Sequence, residues 1–224
     1  MSEWWTYEPS NFLLFAPRTY YRLIEQYHAA IWPAQLVALV VGIAILALAH
    51  GEWRWRGRAI AAILAVCWAW VALAFHFQRY ATINWAATWF AAAFMLEALL
   101  LIAVGVIGDR LRFAATSDPI AHAGLALVLL GLFVQPLLGP LAGRNWSQAE
   151  IFGITPDPTA VVTLGLLLRA SRPVDARLAL IPLSWCAVGG AFLWTMRSPG
   201  TALVLGAGLV GLLALAVRRP RGSG

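Results

Sequence analysis

The sequence predicts an all-α integral membrane protein, a bundle of seven transmembrane helices with its N-terminus outside and its C-terminus inside. Three observations carry this. The chain is 61% hydrophobic and 12% charged, whereas a soluble domain is about a quarter charged. Mean hydropathy is +0.75, and most apolar runs approach the roughly 20 residues that a bilayer requires. All 16 basic residues are arginine, and they fall between the apolar runs. That placement is positive-inside bias, so the net charge of +6 points to a lipid bilayer and not to nucleic acid.

The spans follow in order at 31–49, 59–77, 85–107, 120–138, 158–171, 178–196 and 201–217, forming one transmembrane domain over 1–224. Residues 1–30 are an outer interfacial segment. Its opening "MSEWWTYEPS" is acidic and aromatic and lacks the pattern of a signal peptide, so the first span is expected to act as an uncleaved membrane signal. In "APRTYYRLIEQYHAAIWPAQ", Pro17 is expected to start a helix that continues through Ala49 with a kink at Pro33. With the loop after span one inside, eleven arginines lie on inner segments and five on outer ones. Trp4, Trp5, Trp32, Trp85, Trp89 and Trp146 then mark the outer boundary as an aromatic belt.

Asp118-Pro119, Asp157-Pro158 and Ser198-Pro199 each read as a capping residue followed by a proline at a helix start. Spans one to three and five to seven share an order of helix, arginine-rich inner loop, helix, short outer turn and helix, which is compatible with a parallel repeat. Cys67 and Cys186 lie in apolar runs and read as buried thiols that would pair only where their helices touch.

Span five is too short. From Pro158 to Ser171 a helix reaches about 21 Å, against about 30 Å of hydrocarbon. Arg169 and Arg172 hold its inner end at the surface, so the preceding "AEIFGITPD" is expected to dip into the membrane. Irregular backbone at that depth needs a cover of protein or water. An outward-facing, water-accessible pocket is the economical solution, with Asp157 capping the helix at its floor.

Polar residues inside or beside spans are costly and mark function. The candidate binding set at the outer pocket is Glu25, His28, Gln35, His76, Arg79, Asn84, Glu97, Gln135, Glu150 and Asp157. Glu25, His28 and Gln35 share one helical stripe. Arg79 and Asn84 flank the turn "RYATIN", suited to an anion or to a lipid headgroup. Glu97 lies near mid-membrane, where an acid needs a partner or its proton, and is the candidate coupling group. His28 and His76 are also the candidate metal or haem ligands, with His50 and His122 as a second pair near the inner face. Otherwise no cofactor is expected.

The wording "FLLFAPRTYYRL", "RYATINWAA" and "FGITPDPTAVVTLG" resembles a family of small bacterial polytopic inner-membrane proteins of unknown function. The resemblance covers most of the chain and implies a bacterial inner-membrane location; it brings no activity or site residues. No Walker loop, GxSxG, HExxH or GxGxxG occurs. Three functions therefore compete: capture or transport of a small polar solute or ion through the outer pocket, a haem or metal redox protein using the outer histidines, and an accessory or sensory membrane subunit. The partners read from the sequence are the bilayer, that solute or ion, and either a second copy or a partner membrane subunit.

Overall fold

The computed structural model describes residues 15–113, 118–171 and 175–218. Trp4, Trp5, Arg172, Arg219 and Arg221 lie outside them. Helices dominate, and the only strand-like feature among the described residues is an isolated antiparallel bridge between Phe113 and Ala170.

The first expected helix is in fact two. Helix α1 (Pro17–Ala30) and α2 (Ala34–His50) meet at 91°. A continuous kinked rod from Pro17 is therefore incorrect. The two pieces differ in chemistry. Helix α1 is amphipathic, burying Tyr20, Leu23, Ile24, Tyr27 and His28 while Arg18, Arg22 and Gln26 stay exposed. Helix α2 is apolar all round and exposes Val37, Val40 and Ile43. A segment with one polar face lies across the end of a bundle, and a uniformly apolar one runs through it. Pro33, which cannot donate to a helical ladder, stands at the corner. Gln35 Nε2 donates to the His28 carbonyl at 2.8 Å, satisfying one of the acceptors orphaned where α1 ends.

Helix α3 (Arg56–Trp70) continues through a π-helical stretch (Val71–Phe77) to Thr82, and α4 (Ala87–Leu100) through another (Leu101–Ile107). The pair forms a close hairpin. A Cβ added at Gly105 would stand 2.5 Å from the Ala61 Cβ. Helix α5 (Pro119–Leu129), a π-helical turn and α6 (Gln135–Leu141) make a third rod, which Asp118 caps as its position before Pro119 predicts. Its Oδ1 accepts from Ala121 N at 2.6 Å. Helices α8 (Arg177–Thr195) and α9 (Thr201–Arg218) complete the bundle.

The seven expected spans all fall on helices, but they are not equivalent. Four rods are long and apolar enough to cross a membrane: Arg56–Thr82, Ala87–Ile107, Pro119–Leu141 and Arg177–Thr195. The α1–α2 pair qualifies only as a bent unit, and α9 is apolar but shorter. Helix α7 (Pro156–Arg169) has 14 residues and is buried throughout from Pro156 to Leu168. It is the axis of the bundle, packed by α5, α8, α9 and α3. Its tightest contact is with α5, where a Cβ at Gly124 or at Gly165 would lie 2.6 Å from the other residue's carbonyl oxygen.

Two expected helix starts shift. Helix α7 begins at Pro156, not Pro158, because Pro156 takes the first helical position and extended Thr155 precedes it. Asp157 is thus in the first turn and is not the cap. Helix α9 begins at Thr201, whose amide bonds to the Ser198 carbonyl at 3.2 Å. Cys67 and Cys186 are both free and buried. They have separate neighbours, Gly153 for the first and Gly208 for the second.

The arginine-rich segments gather at one end of the bundle. Arg58 pairs with Asp109 at 3.3 Å and Arg110 with Asp175 at 3.6 Å. Ser171 N donates to the Arg112 carbonyl at 2.8 Å. The opposite end carries α1 and the entry to α7.

Candidate functional site: a cleft backed by buried carboxyl groups

The non-helical entry to α7 is buried, as its length deficit predicts. Ala149, Glu150, Phe152, Ile154 and Thr155 are all inside. Protein, not an open water-filled pocket, covers this backbone. Ile151 N donates to Thr155 Oγ1 at 2.8 Å and Gly153 N to Thr159 Oγ1 at 2.9 Å. Tyr27 Oη donates to the Ile154 carbonyl at 3.3 Å. Gly153 has φ of +74°, a region that glycine enters without steric cost. The expected single outward pocket therefore divides into an open cleft and a buried layer behind it.

The cleft, of about 680 Å³, is lined by Arg18, Tyr21, Arg22, Glu25, Arg144 and Gln148, among others. Of the ten expected residues, only Glu25 faces it. Gln148 Nε2 donates to Glu25 Oε2 at 3.1 Å, tying the outer loop to α1. The Arg144 guanidinium lies 4.0 Å over the Tyr21 ring and packs on Gly139, where a Cβ would stand 3.0 Å from Nη2. Its Nε and Nη1 are buried without a hydrogen-bond partner among the described residues.

Behind Arg144 lies Glu150, buried and in range of the guanidinium charge. Gln135 Nε2 donates to its Oε2 at 3.3 Å. Burial pushes the Glu150 carboxyl pKa up, while Arg144 and the Gln135 hydrogen bond pull the other way. Asp157 is within electrostatic range of Glu150, and Tyr20 of both. Trp185 Nε1 donates to Asp157 Oδ1 at 2.7 Å. Beside Asp157 a cavity of about 10 Å³ opens between Tyr20, Tyr80, Trp185 and Gly189. That is room for about one water.

Trp185 also touches His76, with ring centroids 5.0 Å apart. His76 is fully buried in a box of aromatic rings that includes Phe94 at 4.6 Å, Tyr80 and Phe90. Neither ring nitrogen has a hydrogen-bond partner among the described residues. Glu97, one turn beyond Phe94 on α4, is likewise buried with both oxygens unpartnered among them. Electrostatic influence thus links Arg144 to Glu150 and Glu150 to Asp157, and direct contacts lead from Asp157 through Trp185 to His76.

The remaining expected residues lie outside this series. His28 sits by the Tyr27 ring and the Ser147 backbone, and burial lowers its pKa from the ordinary 6.5 to about 4. His28 and His76 share no ring contact or hydrogen bond among the described residues. No group of three or more His, Cys, Asp or Glu is placed to hold a metal among the described residues. His50 and His122 are exposed, and His50 Nδ1 bonds to the Leu46 carbonyl at 2.8 Å. Asn84 Oδ1 accepts from Ala86 N at 3.0 Å, and Thr82 Oγ1 donates to the Arg79 carbonyl at 2.7 Å. Both bonds close the "RYATIN" turn and leave the Arg79 guanidinium out of it.

Sequence reasoning missed Trp185, Tyr20 and the position of Arg144 against Glu150. Trp185 has one local signal. Gly189, one turn on, leaves the space that Asp157 fills, since a Cβ there would lie 2.6 Å from Oδ1.

Together these features define a helical bundle of apolar rods around a short, wholly buried helix, entered through a covered non-helical segment beside a charged cleft. The chain belongs to a family of unknown function, DUF6064, whose model matches residues 18–222. No curated protein and no solved structure matches it.

Proposed function

We propose that this is a bacterial inner-membrane protein that captures a small polar solute or ion at the cleft and moves it, or a proton coupled to it, along the buried carboxyl layer. The N-terminal cleft faces outward in this reading, because the arginine-rich end is the cytoplasmic one. The observation that carries the proposal is Arg144, which lines the cleft and acts on buried Glu150.

The chemistry follows from that position. Arg18, Arg22 and Arg144 outnumber Glu25 around the cleft, so a solute bearing a carboxylate or another anionic group is favoured there. An anion in the cleft that draws the Arg144 guanidinium toward itself withdraws the cation from Glu150. Glu150 then gains affinity for a proton. Asp157, close to Glu150, is the next acceptor, and the small cavity at Trp185 has room for a relaying water. Glu97 is the deeper coupling group.

Uptake of labelled small carboxylates into proteoliposomes, with a pH-sensitive dye inside, tests this. Arg144→Gln is expected to raise the half-saturating concentration at least tenfold, and Glu150→Gln to abolish the proton signal. Full uptake by both variants would sink the proposal. Unchanged uptake by Glu97→Gln would remove that residue from the path. A protein that purifies only with a second chain, and transports nothing alone, would favour the accessory or sensory role. A Soret band or bound metal would favour the redox role.

A further inference from the structure

The arginine-rich end contains a second pocket, of about 430 Å³, remote in sequence from the cleft. Its walls are the residues entering α3 and the segment after α4. Arg54, Arg56, Arg58 and Arg112 line it, against the two acids Glu52 and Asp109. Positive-inside bias requires arginines in a loop but does not require them to converge. Here they do.

Most of them are also held in place. Arg56 Nη2 donates to the Phe113 carbonyl. Arg58 and Arg112 share the one carboxylate of Asp109, at 3.3 and 3.1 Å. The guanidiniums of Arg54 and Arg58 both lie over the Trp55 ring, 4.9 and 4.6 Å from its centroid. Two like charges on one indole are thus held within about 10 Å of each other, and Arg54 has no carboxylate partner among the described residues. With four arginines against two acids the pocket keeps a net positive charge, which favours an anion. Gly57 makes the convergence possible, because a Cβ there would come 1.8 Å from the Leu111 carbonyl oxygen. Trp53 and Trp55 are exposed beside the pocket, which is how tryptophans sit at the headgroup level of a bilayer.

We propose that this pocket binds a phosphate group, with Arg54, Arg58 and Arg112 as the binding residues. Guanidinium forks match phosphate oxygens in geometry and charge, and the volume admits a phosphate bearing a small alcohol. The phosphate belongs either to an anionic lipid headgroup or to a soluble phosphate compound. This inference does not depend on transport at the cleft.

The test titrates the full-length detergent-solubilised protein with short-chain phosphatidylglycerol, short-chain phosphatidylcholine and inorganic phosphate. Binding is read by native mass spectrometry and by melting temperature. Saturable binding of phosphatidylglycerol alone is expected for a lipid site, and binding of inorganic phosphate as well for a soluble ligand. Arg54→Gln and Arg58→Gln should each weaken binding about tenfold, the loss of one charged hydrogen bond. Arg110→Gln, outside the pocket on the same face, should not. Arg54 makes only the ring contact among those described, so Arg54→Gln is the variant that folding cannot confound. Wild-type affinity in Arg54→Gln, an equal loss in Arg110→Gln, equal binding of phosphatidylcholine, or no binding of any probe would each overturn the proposal.

Discussion

The indole of Trp185 on α8 donates to Asp157 Oδ1 in the first turn of α7 across 2.7 Å, and both groups are buried. The same indole stands edge-on to the His76 imidazole. One side chain thus fixes the start of the central helix and separates the carboxyl layer from the aromatic box. Its removal should be felt in both places.

Trp185→Phe keeps the ring contacts and deletes the donor. A buried carboxyl oxygen without its donor costs about 1–3 kcal/mol, so the variant should unfold earlier in a thermal or denaturant series. Adding Asp157→Leu should recover most of the loss, because the orphaned acceptor is then gone. Equal stability of Trp185→Phe and wild type would show that the hydrogen bond contributes nothing net.

Helices α5 and α7 approach closely at Gly124 and Gly165. Gly165→Ala places a methyl against backbone, which cannot move aside as a flexible side chain would. A loss of at least about 1–3 kcal/mol is expected, as for overpacking in general. Gly206→Ala on α9, where nothing lies within 4 Å, should stabilise by about 0.5–1 kcal/mol in the same melting assay.

His28 sets a pH dependence outside the spans. Burial lowers its pKa from 6.5 to about 4, so the folded state prefers the neutral ring. The stabilisation is complete above 6.5 and is lost as pH falls through that window toward 4. Melting temperatures of wild type should therefore decline across it, and His28→Gln should flatten the decline. An identical slope in both would assign the effect to other groups.

Glu97 is buried with no hydrogen-bond partner among the described residues. A polar group in that state is destabilising. Glu97→Leu should raise stability by about 1–3 kcal/mol. A variant no more stable than wild type would mean that the carboxyl is better satisfied than its neighbours suggest.

Much of this architecture was legible along the chain because the signals are local. Asp118 before Pro119 caps a helix wherever it stands. The arginines between apolar runs lie at the ends of the bundle because desolvating any of them is too costly. The shortfall of span five was an arithmetic fact about length, and it located the buried non-helical segment before α7. The corner between α1 and α2 was less legible. Pro33 announces a break, but its angle depends on which surface covers the apolar stripe of α1. Similarly, "TPDP" offers two prolines as helix starts, and only the fit of Thr155 to the loop chose the first.

By itself the sequence determined an all-helical chain of apolar rods, the polarity of its two ends and the presence of a helix too short to cross. These depend on composition, period and length, which each segment carries alone. Only the tertiary structure decided that this short helix is the axis of the bundle and that Glu150 and Asp157 lie within electrostatic range of each other behind Arg144. The first of these depends on how glycine-lined helices close on one another, and the second on how the non-helical segment before α7 is seated.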